Sequence, residues 1–317
     1  MLTAISQYIY NAYLQSLRSG GNARRQQRRW RRFRRWLLKF TDPEIIVRLD
    51  SFQFKTLFSS NILLSHFELP FYDTALPRLA NAVKSAQGRL VMVDIGANVG
   101  AASYLVSAQT PGQFFCVEAN PRFKSSLSHN LAQIPGSAAR FLALTDQTRM
   151  ARVHHNYSDG NSNIEADEAG EPMQFTTLDE LLSSESVYGA PNLIKIDTEG
   201  FELKILRGAK EILSRHQPVL FLEFFPDLIR QQGDTPDALL ELLAAHGYEQ
   251  CVFYDGAGRL LTRAPIRDLD EIRSLRRYCE LGHSFFDVAA FPKTAPELPA
   301  QFFASETQFF EHSLGRG

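Results

Sequence analysis

Hydrophobic residues in the middle of the chain form short continuous runs, separated by stretches in which they recur every three or four positions. Four of the runs are LVMVDI at 90–95, QFFCV at 113–117, LIKI at 193–196 and VLFLEF at 219–224. A continuous run predicts a strand buried on both faces, and the three- and four-residue spacing predicts helices between the strands. The pattern therefore predicts an α/β fold with a doubly wound, mostly parallel sheet.

The two ends of the chain follow other patterns. Residues 1–40 predict two helices, and Thr41-Asp42-Pro43 predicts a boundary because turn-forming residues and proline interrupt a helix. Alternating hydrophobic and polar residues at 44–69 predict a hairpin or a pair of strands. We expect a basic helical extension at 1–40, a main domain at 41–291 and a tail at 292–317 whose structure the pattern does not define.

The basic charge is concentrated in one amphipathic segment. Residues 24–38 combine eight arginines with Trp30, Phe33, Trp36 and two leucines at helical spacing. Residues 1–39 carry ten basic and no acidic residues, which leaves the rest of the chain with a charge of −11. Such a helix can lie at an anionic membrane surface, bind nucleic acid or pack on its own acidic domain. The acidic remainder disfavours nucleic acid, because it would repel a phosphate backbone.

The apolar runs, the first residues and the cysteines indicate the cellular compartment. No apolar run is long enough to cross a bilayer, and the first residues lack a basic start and a small-residue cleavage site. The three cysteines are widely spaced without a CxxC pair, which is typical of reduced thiols. We expect a cytoplasmic protein that is peripheral at the membrane if the arginine-rich helix binds lipid.

The segment from Asp94 to Gly100, DIGANVG, follows a predicted buried strand and precedes a predicted helix. Ligands of doubly wound sheets bind beyond the carboxyl ends of the strands, where such a turn lies. Gly96 and Gly100 allow close backbone approach, and Asn98 tolerates a left-handed conformation. The Asp94 carboxylate suits an ammonium group, so the turn predicts a nucleoside ligand with a cationic end.

A second motif, VEANP, ends the next predicted strand. Glu118 follows Asp94 by 24 residues, and an acidic side chain at that point of the fold accepts hydrogen bonds from both ribose hydroxyls of an adenosine. A dinucleotide enzyme also uses such an acid, but its G-x-G-x-x-G pattern requires glycine where this chain has Asn98 and Ala101. The two motifs therefore favour an adenosine ligand without a pyrophosphate.

Four blocks of the chain resemble the FkbM-type methyltransferases in order and spacing. They are DIGANVG, VEANP, LIKIDTEGFELKILRGA and VLFLEF, and the resemblance spans residues 44–291. It implies the class I methyltransferase fold, S-adenosylmethionine as methyl donor, and O-methylation of a hydroxyl on a sugar, a glycan or another small acceptor. It also implies that Asp94, Gly96, Asn98 and Gly100 surround the methionine end, that Glu118 holds the ribose, and that Thr145 and Asp146 meet the adenine. Ala119, next to Glu118, is a further candidate for binding the donor.

Candidates for the chemistry follow the third predicted strand. Asp197 is the first candidate for aligning donor or acceptor, and Glu199 either contacts the acceptor or caps the next helix. Glu223, at the end of the following strand, has the same two interpretations. His155 is a further candidate base, since an imidazole titrates near neutrality. No spacing of His, Cys, Asp and Glu predicts a metal site.

The sequence thus predicts an S-adenosylmethionine-dependent O-methyltransferase. The alternative from another functional class is a membrane-tethering or binding module, in which the arginine-rich helix is the functional element and the methyltransferase-like domain is catalytically silent. The retained carboxylates of the motifs argue against this alternative. Neither the acceptor nor the oligomeric state can be derived from the sequence.

Overall fold

The computed structural model describes residues 2–19, 23–49, 52–158, 161–166 and 169–315. In these residues the helices are α1 (Leu2–Arg18), α2 (Arg24–Leu37), α3 (Ile62–Glu68), α4 (Ala75–Gln87), α5 (Ala101–Ser107), α6 (Lys124–Leu131), α7 (Leu178–Ser183), α8 (Glu202–Arg207), α9 (Lys210–Arg215), α10 (Pro226–Gln231), α11 (Pro236–Ala245), α12 (Leu269–Gly282) and α13 (Leu298–Leu314). The strands are β1 (Glu44–Leu49), β2 (Phe52–Leu57), β3 (Val91–Ile95), β4 (Gln113–Glu118), β5 (Ser137–Phe141), β6 (Ala143–Leu144), β7 (Arg149–Ser158), β8 (Asn161–Ala166), β9 (Glu171–Thr176), β10 (Leu193–Ile196), β11 (Val219–Phe224), β12 (Tyr248–Asp255), β13 (Leu260–Pro265) and β14 (Phe286–Pro292).

The central sheet has eight strands in the order β13-β12-β14-β11-β10-β3-β4-β5. The five strands from β11 to β5 are parallel, and β14, β12 and β13 extend the sheet with antiparallel pairs. From β3 the chain continues to one side through β4 and β5, then returns to the other side through β10 and β11. The order therefore reverses between β3 and β10, where doubly wound sheets bind their ligands.

Strand β3 shows why the sheet is buried on both faces. Val91, Val93 and Ile95 pack in one hydrophobic cluster, whereas Met92 packs in a second cluster on the opposite face. Successive side chains of a strand point to opposite faces, so a continuous apolar run fits a sheet covered by helices on both sides. The predicted doubly wound, mostly parallel fold is confirmed.

A smaller sheet is inserted between β5 and α7, with the strand order β6-β9-β7-β8. The short apolar run FLAL at 141–144 is divided between the two sheets at Leu142. The polar stretch up to Pro172 contributes β7 and β8 as an antiparallel pair. This insertion follows β5, the third strand of the parallel core in sequence.

The N-terminal helices pack against the β1–β2 hairpin, α3 and the segments that follow β3 and β4. α1, α2, the β1–β2 hairpin and α3 share a hydrophobic cluster that includes Tyr10, Leu37 and Phe58 and extends to Val99 and Phe123. Within the arginine-rich segment, Arg34 is buried and donates hydrogen bonds to the carbonyl oxygen of Phe58 (2.9 Å) and to other acceptors of the following loop. One side of α2 is therefore anchored in the core.

The tail is helical. Glu306 of α13 is fully buried and accepts two hydrogen bonds from Arg78 (2.5 and 2.7 Å) and one from the hydroxyl of Tyr254 (2.9 Å). Leu298 and Phe302 of the same helix belong to the hydrophobic cluster that contains Met92 and Tyr254, on one face of the central sheet. Among the described helices, none has the length and apolar character needed to cross a bilayer.

Candidate active site

A cavity of about 250 Å³ lies beyond the carboxyl ends of β3, β4, β10 and β11. Six of the site residues predicted from the sequence line it: Gly96, Asn98, Glu118, Ala119, Asp197 and Glu199. Apolar groups line the part beside Ala119, where Leu142, Ala143 and Leu144 follow β5. Carboxylates line the opposite part, so the cavity has an apolar end and an acidic end.

The turn after β3 brings the backbones of two strands into close contact. Gly96 has φ +74°, and a Cβ atom there would lie 1.8 Å from the carbonyl oxygen of Asp197. Asn98 (φ +52°) and Gly100 (φ +84°) also adopt left-handed conformations, as the sequence predicts for these residue types. Only a glycine fits at position 96, because the turn after β10 occupies the space of a side chain.

Glu118 connects this turn to the end of β4. Its carboxylate accepts hydrogen bonds from the backbone N–H groups of Asn98 and Asn120, both at 2.7 Å. The Asn120 side chain in turn accepts a bond from the backbone N–H of Arg122 and caps the next turn of helix. Burial raises the pKa of Glu118 to about 7, although the two backbone N–H groups oppose that effect.

Five of the predicted site residues lie off the cavity wall. Asp94 is fully buried beneath the turn, and Gly100 begins α5. Thr145 is buried and donates its hydroxyl to the carboxylate of Asp146 at 3.1 Å, next to the cavity but not on its wall. His155 lies on β7 in the smaller sheet, where burial lowers its pKa. The structure therefore does not bring His155 together with the cavity carboxylates.

A buried lysine in β10 occupies the centre of the site. The Lys195 ammonium lies 3.2 Å from Asp197 Oδ2 and 3.4 Å from Asp94 Oδ1, and it donates to the carbonyl oxygen of Gly96 at 3.2 Å. Burial lowers the pKa of Lys195, but Asp197 and Asp94 outweigh burial and raise it above its usual value. The second oxygen of Asp94 accepts a bond from Ser103 at 2.8 Å. Lys195 is thus a fixed positive charge that Asp94 holds in place.

The turn after β10 is organised by Glu202. Its carboxylate accepts bonds from the backbone N–H (2.8 Å) and hydroxyl (2.9 Å) of Thr198 and from the backbone N–H of Gly200 (3.3 Å). Glu199 in this turn has φ +55°, a conformation that non-glycine residues rarely adopt. Glu202 therefore fixes the turn in front of α8, which has no side-chain capping bond at its N-cap Phe201, and Glu199 lines the cavity.

The acidic end of the cavity is formed by carboxylates from separate segments, which we call the acidic wall: Asp73, Asp197, Glu223 and Asp287. Glu223 of β11 and Asp287 of β14 are direct cross-strand partners. Burial and the neighbouring carboxylates raise the pKa of both well above the usual range. Burial likewise raises the pKa of Asp73 to about 7, although Lys195 opposes that effect.

Sequence reasoning missed several residues of this site. Lys195 and Asp287 carried a signal, since a charged residue inside an apolar strand is rarely buried without a partner. Asp73 and Glu202 carried none, because each stands in a segment of ordinary composition. Among the described residues, no group of three or more His, Cys, Asp or Glu is placed to hold a metal ion.

Comparison with known proteins bears on the identity of this site. The family described as "Methyltransferase FkbM domain" matches residues 94–249, which include both turns and most of the cavity strands. No curated protein sequence matches the chain.

Solved structures similar to the chain include several methyltransferases. A methyltransferase FkbM from Methylobacillus flagellatus KT is 18% identical, with 62% of this chain and 49% of that chain covered and a TM-score of 0.35. The N-methyltransferase NodS from Bradyrhizobium japonicum WM9, in complex with S-adenosyl-L-homocysteine, is 9% identical, with 74% and 92% covered and a TM-score of 0.41. A precorrin-6y C5,15-methyltransferase from Geobacter metallireducens GS-15 is 15% identical, with 68% and 86% covered and a TM-score of 0.35. Likenesses at this level say nothing about the acceptor.

The fold expected from the resemblance is that of the doubly wound sheet described above, with the matched residues at its switch point. Residues 94–249 of this chain therefore match the FkbM methyltransferase domain, which implies S-adenosylmethionine as the methyl donor.

Proposed function

We propose that the chain transfers the methyl group of S-adenosylmethionine to a hydroxyl oxygen of a small or glycan-linked acceptor. The match to the FkbM methyltransferase domain supports the donor and the transfer. The single observation that supports a hydroxyl acceptor is Glu223, which lines the cavity and whose Oε2 has no hydrogen-bond partner among the described residues. This carboxylate can accept the proton that a hydroxyl must lose.

The donor fits the end of the cavity at the glycine turn. S-adenosylmethionine supplies an electrophilic methyl group when it is bound. Glu118 would accept hydrogen bonds from the ribose hydroxyls, the Gly96–Gly100 turn would hold the methionine end, and Leu144 would cover the adenine. Asp94 is committed to Lys195 and Ser103, so we assign it the positioning of Lys195 rather than contact with the donor.

The acidic wall would serve the acceptor. Methyl transfer requires the acceptor oxygen to be aligned and its proton removed. The pKa of Glu223 is raised by burial and by Asp197, and a base with a raised pKa accepts a hydroxyl proton more readily. The proton passes from the hydroxyl to Oε2 of Glu223, while Asp197, fixed by Lys195, orients the acceptor. His155 does not line the cavity, so we assign it no part in this step.

The same wall limits the charge of the acceptor. Six carboxylates line the cavity, four of them in the acidic wall, and Lys195 is paired with Asp94 and Asp197. An acceptor that carries a phosphate or carboxylate beside its reactive group would be repelled in this low-dielectric site. A neutral hydroxyl is accommodated, and a protonated amine would be attracted but would first have to lose its proton.

Mass spectrometry after incubation with isotope-labelled donor tests the proposal. Purified protein is given neutral sugars and alcohols, the matching amines and a cell extract, and the labelled atom is located. We expect the label on an oxygen, with transfer lost in Glu223→Gln and retained in Glu249→Gln, an exposed strand glutamate outside the cavity. Label on nitrogen alone, or full turnover by Glu223→Gln, would contradict the proposal. Binding of S-adenosylhomocysteine without transfer to anything would instead support the silent binding module.

A further inference from the structure

The outer side of the N-terminal helices carries a surface that methyl transfer does not use. Of the ten basic residues in 1–39, Arg31 is bonded to Glu68 and Tyr13, and Arg34 is buried in the core. The other arginines of α2 are exposed on the opposite side of the helix: Arg24, Arg25, Arg28, Arg29, Arg32 and Arg35. The ion pairs within the described part of the chain include none of these six.

Large apolar side chains are exposed along the flank of the same arginines. Phe33 (47% exposed), Trp36 (58%) and Phe40 (65%) recur at three- and four-residue spacing, and the rings of Trp36 and Phe40 are 5.2 Å apart. On α1, Ile5 and Tyr8 are also exposed, and a chain of ring contacts from Tyr8 through Trp30 to Phe33 joins the two helices. We call the exposed arginines and apolar residues of α1, α2 and Phe40 the arginine-aromatic face.

This concentration is unusual for the molecule. Six of the thirteen large apolar side chains exposed in the described residues lie between Leu2 and Phe40, a segment without a single acidic residue. The rest of the chain has a charge of −11. A contiguous exposed apolar patch marks an interaction site, and the arginines around it specify an anionic partner.

We propose that the arginine-aromatic face binds the surface of an anionic phospholipid bilayer. The arginines would contact lipid phosphates, while Trp36, Phe40 and Tyr8 would enter the headgroup region, where amphipathic rings are stable. Nucleic acid would satisfy the arginines but would leave the aliphatic side chains of Leu2 and Ile5 without an apolar partner. A bilayer surface satisfies both.

The buried side of α2 connects the arginine-aromatic face to the region of the cavity. Leu37 belongs to the same hydrophobic cluster as Val99 and Phe123, which flank the glycine turn and the end of β4. Ile62, at the edge of that cluster, also lines the cavity. The helices that carry the arginine-aromatic face therefore pack in the same hydrophobic cluster as residues of the cavity wall.

Vesicle sedimentation with the full chain tests the proposal. We expect binding to phosphatidylcholine vesicles that contain phosphatidylglycerol, at least about 100-fold weaker binding to pure phosphatidylcholine, and a decrease with added salt. No binding to the anionic vesicles would overturn the proposal. So would tighter binding to duplex DNA or RNA than to the vesicles under the same salt conditions.

Two variants and two matched controls identify the surface. One variant replaces five arginines of α2 by glutamine, Arg25, Arg28, Arg29, Arg32 and Arg35, and its control replaces five exposed arginines elsewhere, Arg215, Arg259, Arg267, Arg273 and Arg277. We expect the first to lose at least about 100-fold in vesicle affinity, since each basic residue near an anionic surface strengthens binding about fivefold, and the control to lose much less. Equal losses would show a net-charge effect and overturn the proposal.

The second variant, Trp36→Ala with Phe40→Ala, removes apolar area without changing charge. Its control is Tyr278→Ala with Leu281→Ala, which are 67% and 81% exposed on α12. We expect weaker binding to anionic vesicles only for the first, and unchanged affinity of all variants for S-adenosylhomocysteine, which also shows that they are folded. Vesicle binding that is insensitive to Trp36 and Phe40 would contradict insertion of the face. Methyl transfer to a soluble acceptor is independent of this result.

Discussion

The two ends of the cavity are built from different parts of the polypeptide. Beside the glycine turn, near the apolar end, the main chain sets the geometry: Gly96 touches the neighbouring turn, and two backbone N–H groups fix Glu118. At the acidic end side chains form the surface, and Asp73, Glu223 and Asp287 reach it from three segments far apart in sequence. At the first end, a side-chain atom added at Gly96 would collide with the backbone. The second end depends on the charges of the acidic wall and of Lys195.

This difference predicts two kinds of sensitivity. The backbone end should respond to changes of shape and should affect donor binding. The acidic end should respond to protonation and to removal of single carboxylates, and it should affect turnover with little change in donor binding. The two sensitivities are separated by one substitution that changes shape but not charge at the backbone end, and by another that removes charge but keeps shape at the acidic end.

The largest effect is expected for Gly96→Ala. The added Cβ would lie 1.8 Å from the backbone of Asp197 and would also strain a residue at φ +74°. We expect a loss of about 3 kcal/mol or more in the free energy of unfolding, from overpacking and backbone strain together, and no measurable binding of S-adenosylhomocysteine. Thermal unfolding and calorimetry measure the two losses.

Gly88→Ala is the matched control. Gly88 has φ +72° but no atom within 4 Å of the added Cβ, so only the backbone strain of about 1 kcal/mol is expected. Equal destabilisation of the two variants would show that close contact with the turn after β10 is unimportant.

The next effect concerns the acidic end. Glu223→Gln keeps the shape of the side chain but cannot accept a proton, so kcat should fall by about 10²- to 10⁴-fold. Affinity for S-adenosylhomocysteine should stay within about twofold, since Glu223 is assigned to the acceptor. Steady-state kinetics and calorimetry check the two parts. A weakened donor affinity with unchanged kcat would reverse the assignment of the two ends.

A smaller effect is expected for Glu118→Ala. The variant removes the proposed acceptor of the ribose hydroxyls and should weaken donor binding by about 1–3 kcal/mol. Glu118→Gln keeps one carbonyl oxygen for the same bonds and should lose less. Calorimetric titration with S-adenosylhomocysteine compares the three proteins, and an unchanged affinity in Glu118→Ala would remove the residue from the donor site.

The dependence on pH is the mildest of these tests. A carboxylic acid must lose its proton before it can accept another, and burial and Asp197 raise the pKa of Glu223 well above the usual range. We therefore expect kcat/KM to go on rising with pH above the range in which an ordinary glutamate loses its proton, by up to about tenfold per pH unit, and Glu223→Gln to abolish that rise. A flat profile in the unsubstituted protein would contradict the proposed base.

Stability should change with pH in the opposite direction. Between the ordinary aspartate pKa of 3.8 and the value of about 7 for Asp73, the folded chain binds more protons than the unfolded chain. The free energy of unfolding should therefore decrease as the pH rises through this window. Asp73→Asn should make the decrease shallower, as chemical denaturation at several pH values would show.

The two ends of the cavity also differ in how far the sequence predicts their residues. The strands around the glycine turn are continuous apolar runs, and the turn and Glu118 lie in contiguous motifs, so their positions followed from local pattern. The acidic end could not be predicted in this way. Glu223 and Asp287 meet only because of the antiparallel register of β11 and β14, which no local motif specifies.

Other differences have similar physical causes. Strand β13 and helix α12 were not predicted, and they expose the apolar side chains of Leu261, Tyr278 and Leu281, which blurs the alternation of buried apolar and exposed polar positions. The tail became a helix because Glu306, with Arg78 and Tyr254, forms a buried contact across distant segments. The roles of Lys195 and Glu202 likewise depend on partners in other segments or on the fold of a turn.

A crystal structure of the complex with S-adenosylhomocysteine tests the central claim most directly. The account predicts the ribose hydroxyls within hydrogen-bond distance of Glu118, the amino acid portion along the Gly96–Gly100 turn, and the sulfur directed toward Asp197 and Glu223. A ligand bound outside the cavity, or with its ribose at the acidic wall, would contradict the account.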